Sequence, residues 1–594
     1  MRKHLLARRE RESDPGTRWR ERCESRRDAS ALCAVVLAWL VTPVPAAELE
    51  LFVTDYNEDP APTQAPLVAR PVTYVDAQQV TVRTSDGKTI AYDAPAKVAI
   101  QSRAAGDPRA ARLFASRGEY EPFSFLLRPL ENLTDVFIQA GALTGPGGTI
   151  PADCVTVRSV EGFHGGGRQI LMRLGHPWNM PAYSTEYFWY TVRVPDTAAP
   201  GTYRGTVTVT SQQRPVGTIV VNLDVLPLRL KDPPFALGFN YSRPENVQAL
   251  PKHLADMREH GMTTVAPLYE FHLPIHDDDT SQLGEFIEVY RRAGFPAPLY
   301  FATPMGLQVS DLAGYGDETS QRWQQKYLQV MRRLHAETLK HDVPVLMSIG
   351  DELTNKGIEG VGIAERLARF VWEELPEIAT TSDMNGYREV MAMAPYLNVA
   401  TFNNGWDGID HHNGGRRLIN KDFILQLQRQ TGAIPWFVNG GSGRFPFGFF
   451  FWKMTKHGVR GKVEWYYNLR NESGSLVRDT DAGIEPTLDY ERSREGVDDL
   501  KYLCGLESLI AQARKTGRAS ADCAAAEALV GRIAAGIQDD WTAYSAGAAR
   551  FPPDGFAVTD PDKAAGLGSL DVIRRAVADA AVRLQEAMAT APAR

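Results

Sequence analysis

Apolar and polar positions change their rhythm twice along this chain. From about residue 73 to 230 the alternation is short and strand-like. "QVTVRTSDGKTIAYD" alternates around a turn, "EPFSFLLRPL" and "DVFIQAGAL" are short apolar runs, and "GTYRGTVTVTSQQRPVGTIVVNLDVLPL" reads as a hairpin of β-branched residues. Many short strands with no good helix between them predict a β-sandwich over 73–230. After Lys231-Asp232-Pro233-Pro234, short apolar strands alternate with amphipathic helices, the pattern of parallel βαβ units. Strands are expected at "ALGFNY", "TTVAPLY", "APLYFAT", "VPVLMSIG", "EIATTS", "LNVATFN", "IPWFVNG" and "GKVEWYYN". Helices are expected between them, among them "NVQALPKHLADMREHG", "SQLGEFIEVYRRAG" and "QRWQQKYLQVMRRLHAETLKH". Eight strands in a segment of this length suit a (β/α)8 barrel over 231–490. A doubly wound open sheet is the competing architecture, but no glycine-rich phosphate loop follows any strand. Residues 491–594 are Ala-rich with helical apolar stripes and no sustained heptad, which predicts a helical C-terminal region.

The first 47 residues stand apart. Residues 1–30 hold ten Lys/Arg against six Asp/Glu, and an uncharged apolar stretch follows up to Glu48. That is the form of an export signal, with cleavage expected near Ala46 or Ala47 and a secreted or periplasmic protein as the result. Twin-arginine export through Arg26-Arg27 and an uncleaved anchor are the alternatives. The apolar run is too short for stable membrane insertion. Proline-rich 48–72 reads as a linker or extended strand. The whole chain carries a net charge of −7 and residues 1–47 carry +4, so the remainder stands near −11. An acidic chain is a poor partner for nucleic acid. Cys154, Cys504 and Cys523 remain after the signal; they lack metal-ligand spacing, and at most Cys504 and Cys523 pair. The loops "PIHDDDT" and "DGIDHHNGG" read as solvated rather than as metal sites. No cofactor is expected.

Chemistry in a parallel barrel gathers at the C-terminal ends of its strands. Those ends read Asn240-Tyr241, Tyr269-Glu270, Thr303, Asp351-Glu352, Asp383 with Asn385, Asn403-Asn404 with Trp406, Asn439, and Glu464-Trp465-Tyr466-Tyr467-Asn468. Aromatic faces and amides around carboxylates suit a carbohydrate substrate. Asn240, Tyr241, Asn403, Trp406, Asn439, Trp452, Glu464, Trp465 and Tyr467 are the candidate binding residues, and Asp351 and Glu352 the candidate catalytic pair. Most glycosidases flank the scissile bond with two carboxylates. Many barrel glycosidases put the acid after strand 4 and a glutamate nucleophile after strand 7, where this chain has Asn439. Two ways remain to supply a nucleophile: Glu464 on strand 8, or the substrate's own 2-acetamido group. In the second, Asp351 orients the acetamido group and Glu352 is the general acid and base, kept protonated by its neighbour's charge.

Several segments resemble the family 123 glycoside hydrolases and their wider relatives bearing the DUF4091 domain. They are "RGEYEPFSFLLRPLENLTDVFIQAGAL" and "PGTYRGTVTV" in the sandwich, the Asp351-Glu352 pair, "FPFGFFFWKMTKHGVRGKVEWYYNL", and "EPTLDYERSREGVDDLKYL" after the barrel. The resemblance covers roughly residues 70–515. It implies a sandwich followed by a (β/α)8 barrel and a retaining β-N-acetylgalactosaminidase working by substrate assistance; exo action is the leading expectation. It also implies that Asp351 polarises the acetamido group and Glu352 is the acid/base. Leu353 follows the pair where proline is common in such enzymes. A glycosidase of other specificity using Glu352 with Glu464, and a non-catalytic carbohydrate-binding protein on a barrel scaffold, are the alternative readings.

Overall fold

A computed structural model describes residues 49–58, 77–83, 89–95, 109–162, 169–175, 177–244, 247–268, 271–302, 307, 312–405, 417–469, 474–480, 483–558 and 567–590. The expected signal segment, Trp406, Glu270 and Thr303 lie outside the described residues.

Two antiparallel-rich sheets face each other in the N-terminal part. One runs in the order Leu49–Thr54, Tyr120–Pro129, Glu186–Arg193, Val155–Glu161, Ile170–Arg173. The other runs Trp178–Met180, Leu133–Ala140, Gly201–Ser211, Arg214–Arg229, Ala110–Arg117, its last pair parallel. Alternate residues of both sheets turn inward, and the stacked rings of Phe123 with Tyr190 and Phe125 with Phe188 fill the space between them. Leu49–Thr54, within the stretch expected to be a linker or extended strand, pairs along its whole length with Tyr120–Pro129. Cys154, Cys504 and Cys523 are all free, which corrects the allowance for a Cys504–Cys523 bridge.

The central part is a parallel eight-stranded barrel. Its strands are β1 (Ala236–Tyr241), β2 (Ala266–Pro267), β3 (Leu299–Phe301), β4 (Val345–Asp351), β5 (Thr380–Met384), β6 (Val399–Phe402), β7 (Ile434–Val438) and β8 (Gly461–Asn468). They neighbour one another in the order β2-β1-β8-β7-β6-β5-β4-β3. The seam between the two end strands closes through Tyr300 N–H to Val265 O (3.2 Å) and Ala302 N–H to Pro267 O (3.1 Å). β2 is only two residues long, much shorter than the expected "TTVAPLY". Ala236, Ala266, Ala302, Leu346, Val399, Trp436 and Val463 form an apolar plug inside the barrel. A larger core lies between the strands and the helices around them. Gln321–Leu339 shows how the helices form. Ser320 caps it by accepting from Trp323 N–H, and Trp323, Tyr327, Val330, Met331 and Leu334 make the buried stripe that holds it to the barrel.

The long helix Leu488–Thr516 and the C-terminal helix Ser569–Thr590 pack on both neighbours through a buried charge hub. Arg574 is wholly buried; it donates to Glu121 Oε2 (3.3 Å), Glu495 Oε2 (2.8 Å) and Asp499 Oδ1 (2.6 Å). Arg444, in the short helix after β7, grips both oxygens of Asp499 and donates to Asp571 Oδ1 at 2.6 Å. The hub therefore ties a sandwich strand, the barrel and both C-terminal helices together. Removing one member of a buried ion network costs more than the pair was worth, because the opposite charges stay behind unpaired. Arg574→Met should destabilise the protein by about 3–5 kcal/mol. In thermal unfolding that appears as a midpoint lowered by several degrees, and a shift of under a degree would show that the hub is not structural.

Candidate active site

The site lies at the C-terminal end of β4 and depends on one extra residue. Ser348 sits opposite Thr381 on β5, but the next paired residues are Asp351 and Asp383. That is three steps on β4 against two on β5. Leu346 faces the barrel interior and Ile349 packs with the outer core. Gly350 also faces outward: a Cβ there would meet Ser382 Oγ at 2.2 Å and Met393 Cε at 3.2 Å. Two successive outward positions turn Asp351 back to the inner face, as a bulge does when it re-aims a side chain. Glycine is required at 350 by that close approach.

Beneath Asp351 the inner face is polar. Tyr300 on β3 donates its hydroxyl to Asp383, and Thr381 and Thr401 share a hydroxyl contact of 2.8 Å. Glu352 follows in the left-handed region at φ 47°, uncommon for a residue with a side chain. Its N–H is fixed to Asp383 O (2.8 Å) and its Oε2 accepts from Asn355 Nδ2 (3.1 Å). Glu389, buried in the helix Tyr387–Met393, holds the turn: it accepts from Leu353 N–H (2.6 Å), Thr354 Oγ1 (3.2 Å) and Asn385 N–H (3.0 Å). Asn385 donates to Asn355 Oδ1 (3.4 Å) and accepts from Asn403, so a ladder of amides runs across the ends of β4, β5 and β6 to Glu352.

Four carboxylates share this corner, and no Lys, Arg or His among the described residues is ion-paired with any of them. Asp351 is pushed up to about 6 by the protein packed around it and then by the charge of Glu352. The residue as a whole is nevertheless exposed at the mouth. Asp383 is raised well above the ordinary range by burial and by Asp351, with Tyr300 opposing. Glu389 rises to about 7 through burial, its three donors opposing. Upward pressure on proton affinity thus falls on Asp351 and on the two carboxyls below it.

The other candidates divide by face. Asn240 is on the inner face, four residues on from the inward Ala236 and paired with Ala266; its buried Oδ1 has no hydrogen-bond partner among the described residues. Asn403 is buried in the amide ladder, and Asn439 stands exposed at φ 53° after β7. Trp465 is 42% exposed at the rim, edge-on to Tyr466. Four assignments need correction. Trp452 is fully buried in the helix layer under Lys456, so it cannot stack on a sugar. Tyr241 and Tyr467 are likewise fully buried on the helix side, their hydroxyls bonded to His253 Nδ1 (3.1 Å) and Asp256 Oδ2 (3.0 Å). Glu464 shares the outward side of β8 with Lys462, opposite the inward Val463, and is ion-paired to it at 2.8 Å. Sequence reasoning missed Tyr300, Asn355 and Glu389. Nothing in "GYREVMAM" marks Glu389 as a turn-holding acid.

A family 123 glycoside hydrolase from Clostridium perfringens, studied for glycolipid glycan hydrolysis, has a similar fold. The two superpose with a TM-score of 0.55 at 12% identity, over 80% of this chain and 95% of that one. A family 39 glycoside hydrolase from Bacteroides cellulosilyticus WH2 gives 0.34 at 12% identity, over 61% and 80% of the two chains. A β-D-glucuronidase of Dictyoglomus thermophilum gives 0.29 at 9%, over 72% and 78%; both are too loose to build on. No protein-family model and no curated protein matches the chain. The fold is that of a β-sandwich followed by a (β/α)8 barrel, with carboxyl groups gathered in the barrel mouth.

The raised Asp351 has a consequence for stability. Its folded form holds a proton more tightly than the unfolded chain, so its contribution is favourable below about pH 4 and is lost as pH rises towards 6. Asp351→Asn should therefore be more stable than the parent at pH 7, by about 1 kcal/mol once contact with water is allowed for. The advantage should vanish near pH 4. Thermal unfolding at the two pH values checks this, and an Asn variant less stable at pH 7 would refute it.

Proposed function

We propose that this protein is a retaining glycoside hydrolase, exported by its N-terminal segment, that removes terminal β-linked 2-acetamido sugars of the N-acetylgalactosamine type by substrate assistance. The observation that carries the reading is the bulge that turns Asp351 inward directly before Glu352, at the mouth of the barrel. Asn439 offers no nucleophile after β7, and Glu464 lies on the outward side of β8 bound to Lys462; both support assistance by the substrate over a second carboxylate.

In the first step the acetamido carbonyl oxygen attacks the anomeric carbon. The bond to the leaving oxygen breaks as Glu352 gives that oxygen its proton. Asp351 accepts the acetamido N–H, whose acidity grows as the ring becomes an oxazolinium ion. A carboxylate with a raised proton affinity is the stronger base for that task. In the second step Glu352 takes a proton from water, which attacks the same carbon from the face the leaving group vacated. The ring opens and configuration is retained. In this reading the exposed Asn439 and Trp465 hold a hydroxyl and a ring face at the rim, while Asn240 and Asn403 lie buried.

The full chain should hydrolyse 4-nitrophenyl N-acetyl-β-galactosaminide, be inhibited by a thiazoline analogue and leave the plain β-galactoside intact. Glu352→Gln should lower kcat by about a hundredfold or more on substrates with poor leaving groups. Cleavage of the plain galactoside would refute assistance. Failure on a broad glycoside panel would favour the binding-protein reading, and full activity of Glu352→Gln would remove its role.

A further inference from the structure

Asp383 stands directly opposite Asp351 across the β4–β5 ladder, on the same inner face. Paired residues of neighbouring strands lie about 5 Å apart, so carboxyls on one face are within reach of a shared proton. Asp383 is only 7% exposed and is anchored from β3 by the Tyr300 hydroxyl. Among the described residues the groups acting on it are Asp351 and Glu352 from β4 and its turn, Glu389 from the helix after β5, and Tyr300, a set without a cation. Two unscreened negative charges cannot both persist in such a place. We propose that Asp383 is a positioning residue whose carboxyl, oriented by Tyr300, keeps its proton and donates it in a hydrogen bond to the carboxylate of Asp351. The burial of Asp383 and the charge of Asp351 both favour that protonated form. One oxygen of Asp351 is then fixed and the other is left to face the substrate's acetamido N–H. This assignment rests on the function proposed above.

The test separates a donor from a charge. Asn at 383 still donates and Leu fills the space without donating. Asp383→Asn should keep kcat within about threefold and leave the acid limb of the kcat/KM profile in place. Asp383→Leu should lower kcat about tenfold with little change in KM and move the acid limb up by about one pH unit, the loss of one hydrogen bond to a charged group. Tyr300→Phe, which preserves packing, should give a smaller change in the same direction and serves where the Leu variant does not fold. An Asn variant as impaired as Leu, or two variants indistinguishable from the parent, would overturn the proposal. A second readout needs no activity. The infrared difference between the parent and Asp383→Asn at pH 7.5 should contain the carbonyl band of a protonated carboxyl, and a carboxylate band in its place would overturn the assignment. If the parent cleaves no acetamido glycoside, the proposed function fails while the infrared result still decides the state of Asp383.

Discussion

Arg574 lies out of water and reaches Glu121, Glu495 and Asp499 together, with Arg444 on the far side of Asp499. Buried carboxylates persist as anions only where cations of this kind meet them. The guanidinium fork suits the task because its N–H groups satisfy several oxygens in fixed directions, which an ammonium cannot do. A sandwich strand, the short helix after β7 and two C-terminal helices are thereby held in one arrangement. The barrel receives its rigid surroundings from that hub, and the mouth of the barrel can then carry groups that contribute nothing to stability.

The acids of the mouth are raised by burial, as Glu121 and Glu495 of the hub are, but their neighbours differ. Asp351, Asp383, Glu352 and Glu389 gather at the ends of β4 and β5, and no arginine or lysine among the described residues is bonded to them. Lys462 is close by in sequence to the rim but faces the helices and is neutralised by Glu464. Burial without a cation favours the protonated form, and Asp351, Asp383 and Glu389 are all raised. Strain accumulates at the same place, in the left-handed Glu352 and the bulge before it. Acid groups of raised proton affinity and strained backbone are features that reaction centres concentrate, and the proposed function makes use of both.

The sequence made the architecture legible because each layer wrote a simple period. Alternation marked the sandwich strands, and strand–helix alternation marked the barrel, down to β8 at Gly461–Asn468. Residue-level roles were less visible where the period breaks. Continuing the alternation of β4 from Leu346 would point Asp351 at the helices, and only the extra residue at Ile349-Gly350 brings it inside. Aromatics misled for a related reason. Tyr241 and Tyr467 sit at strand ends and Trp452 in the helix before β8, yet all three bury their rings on the helix side. A strand end says that a residue is near the mouth, and the face it takes decides whether it sees the substrate.

The same bulge bears on why a pair of adjacent acids serves where a distant pair is usual. In an undistorted strand two successive side chains point to opposite faces. Here the bulge turns Asp351 inward, and the left-handed backbone of Glu352 leads straight into a turn held by Glu389 and Asn355. Neighbours in sequence are thus freed from strand geometry, and each is set by a different partner. Asp351 is set by the β5 carboxyl opposite it, and Glu352 by the amide ladder from β5 and β6. Under the proposed function that separation is what the chemistry needs. The group that steadies the amide and the group that moves the proton must lie on one side of a sugar ring, yet answer to different surroundings.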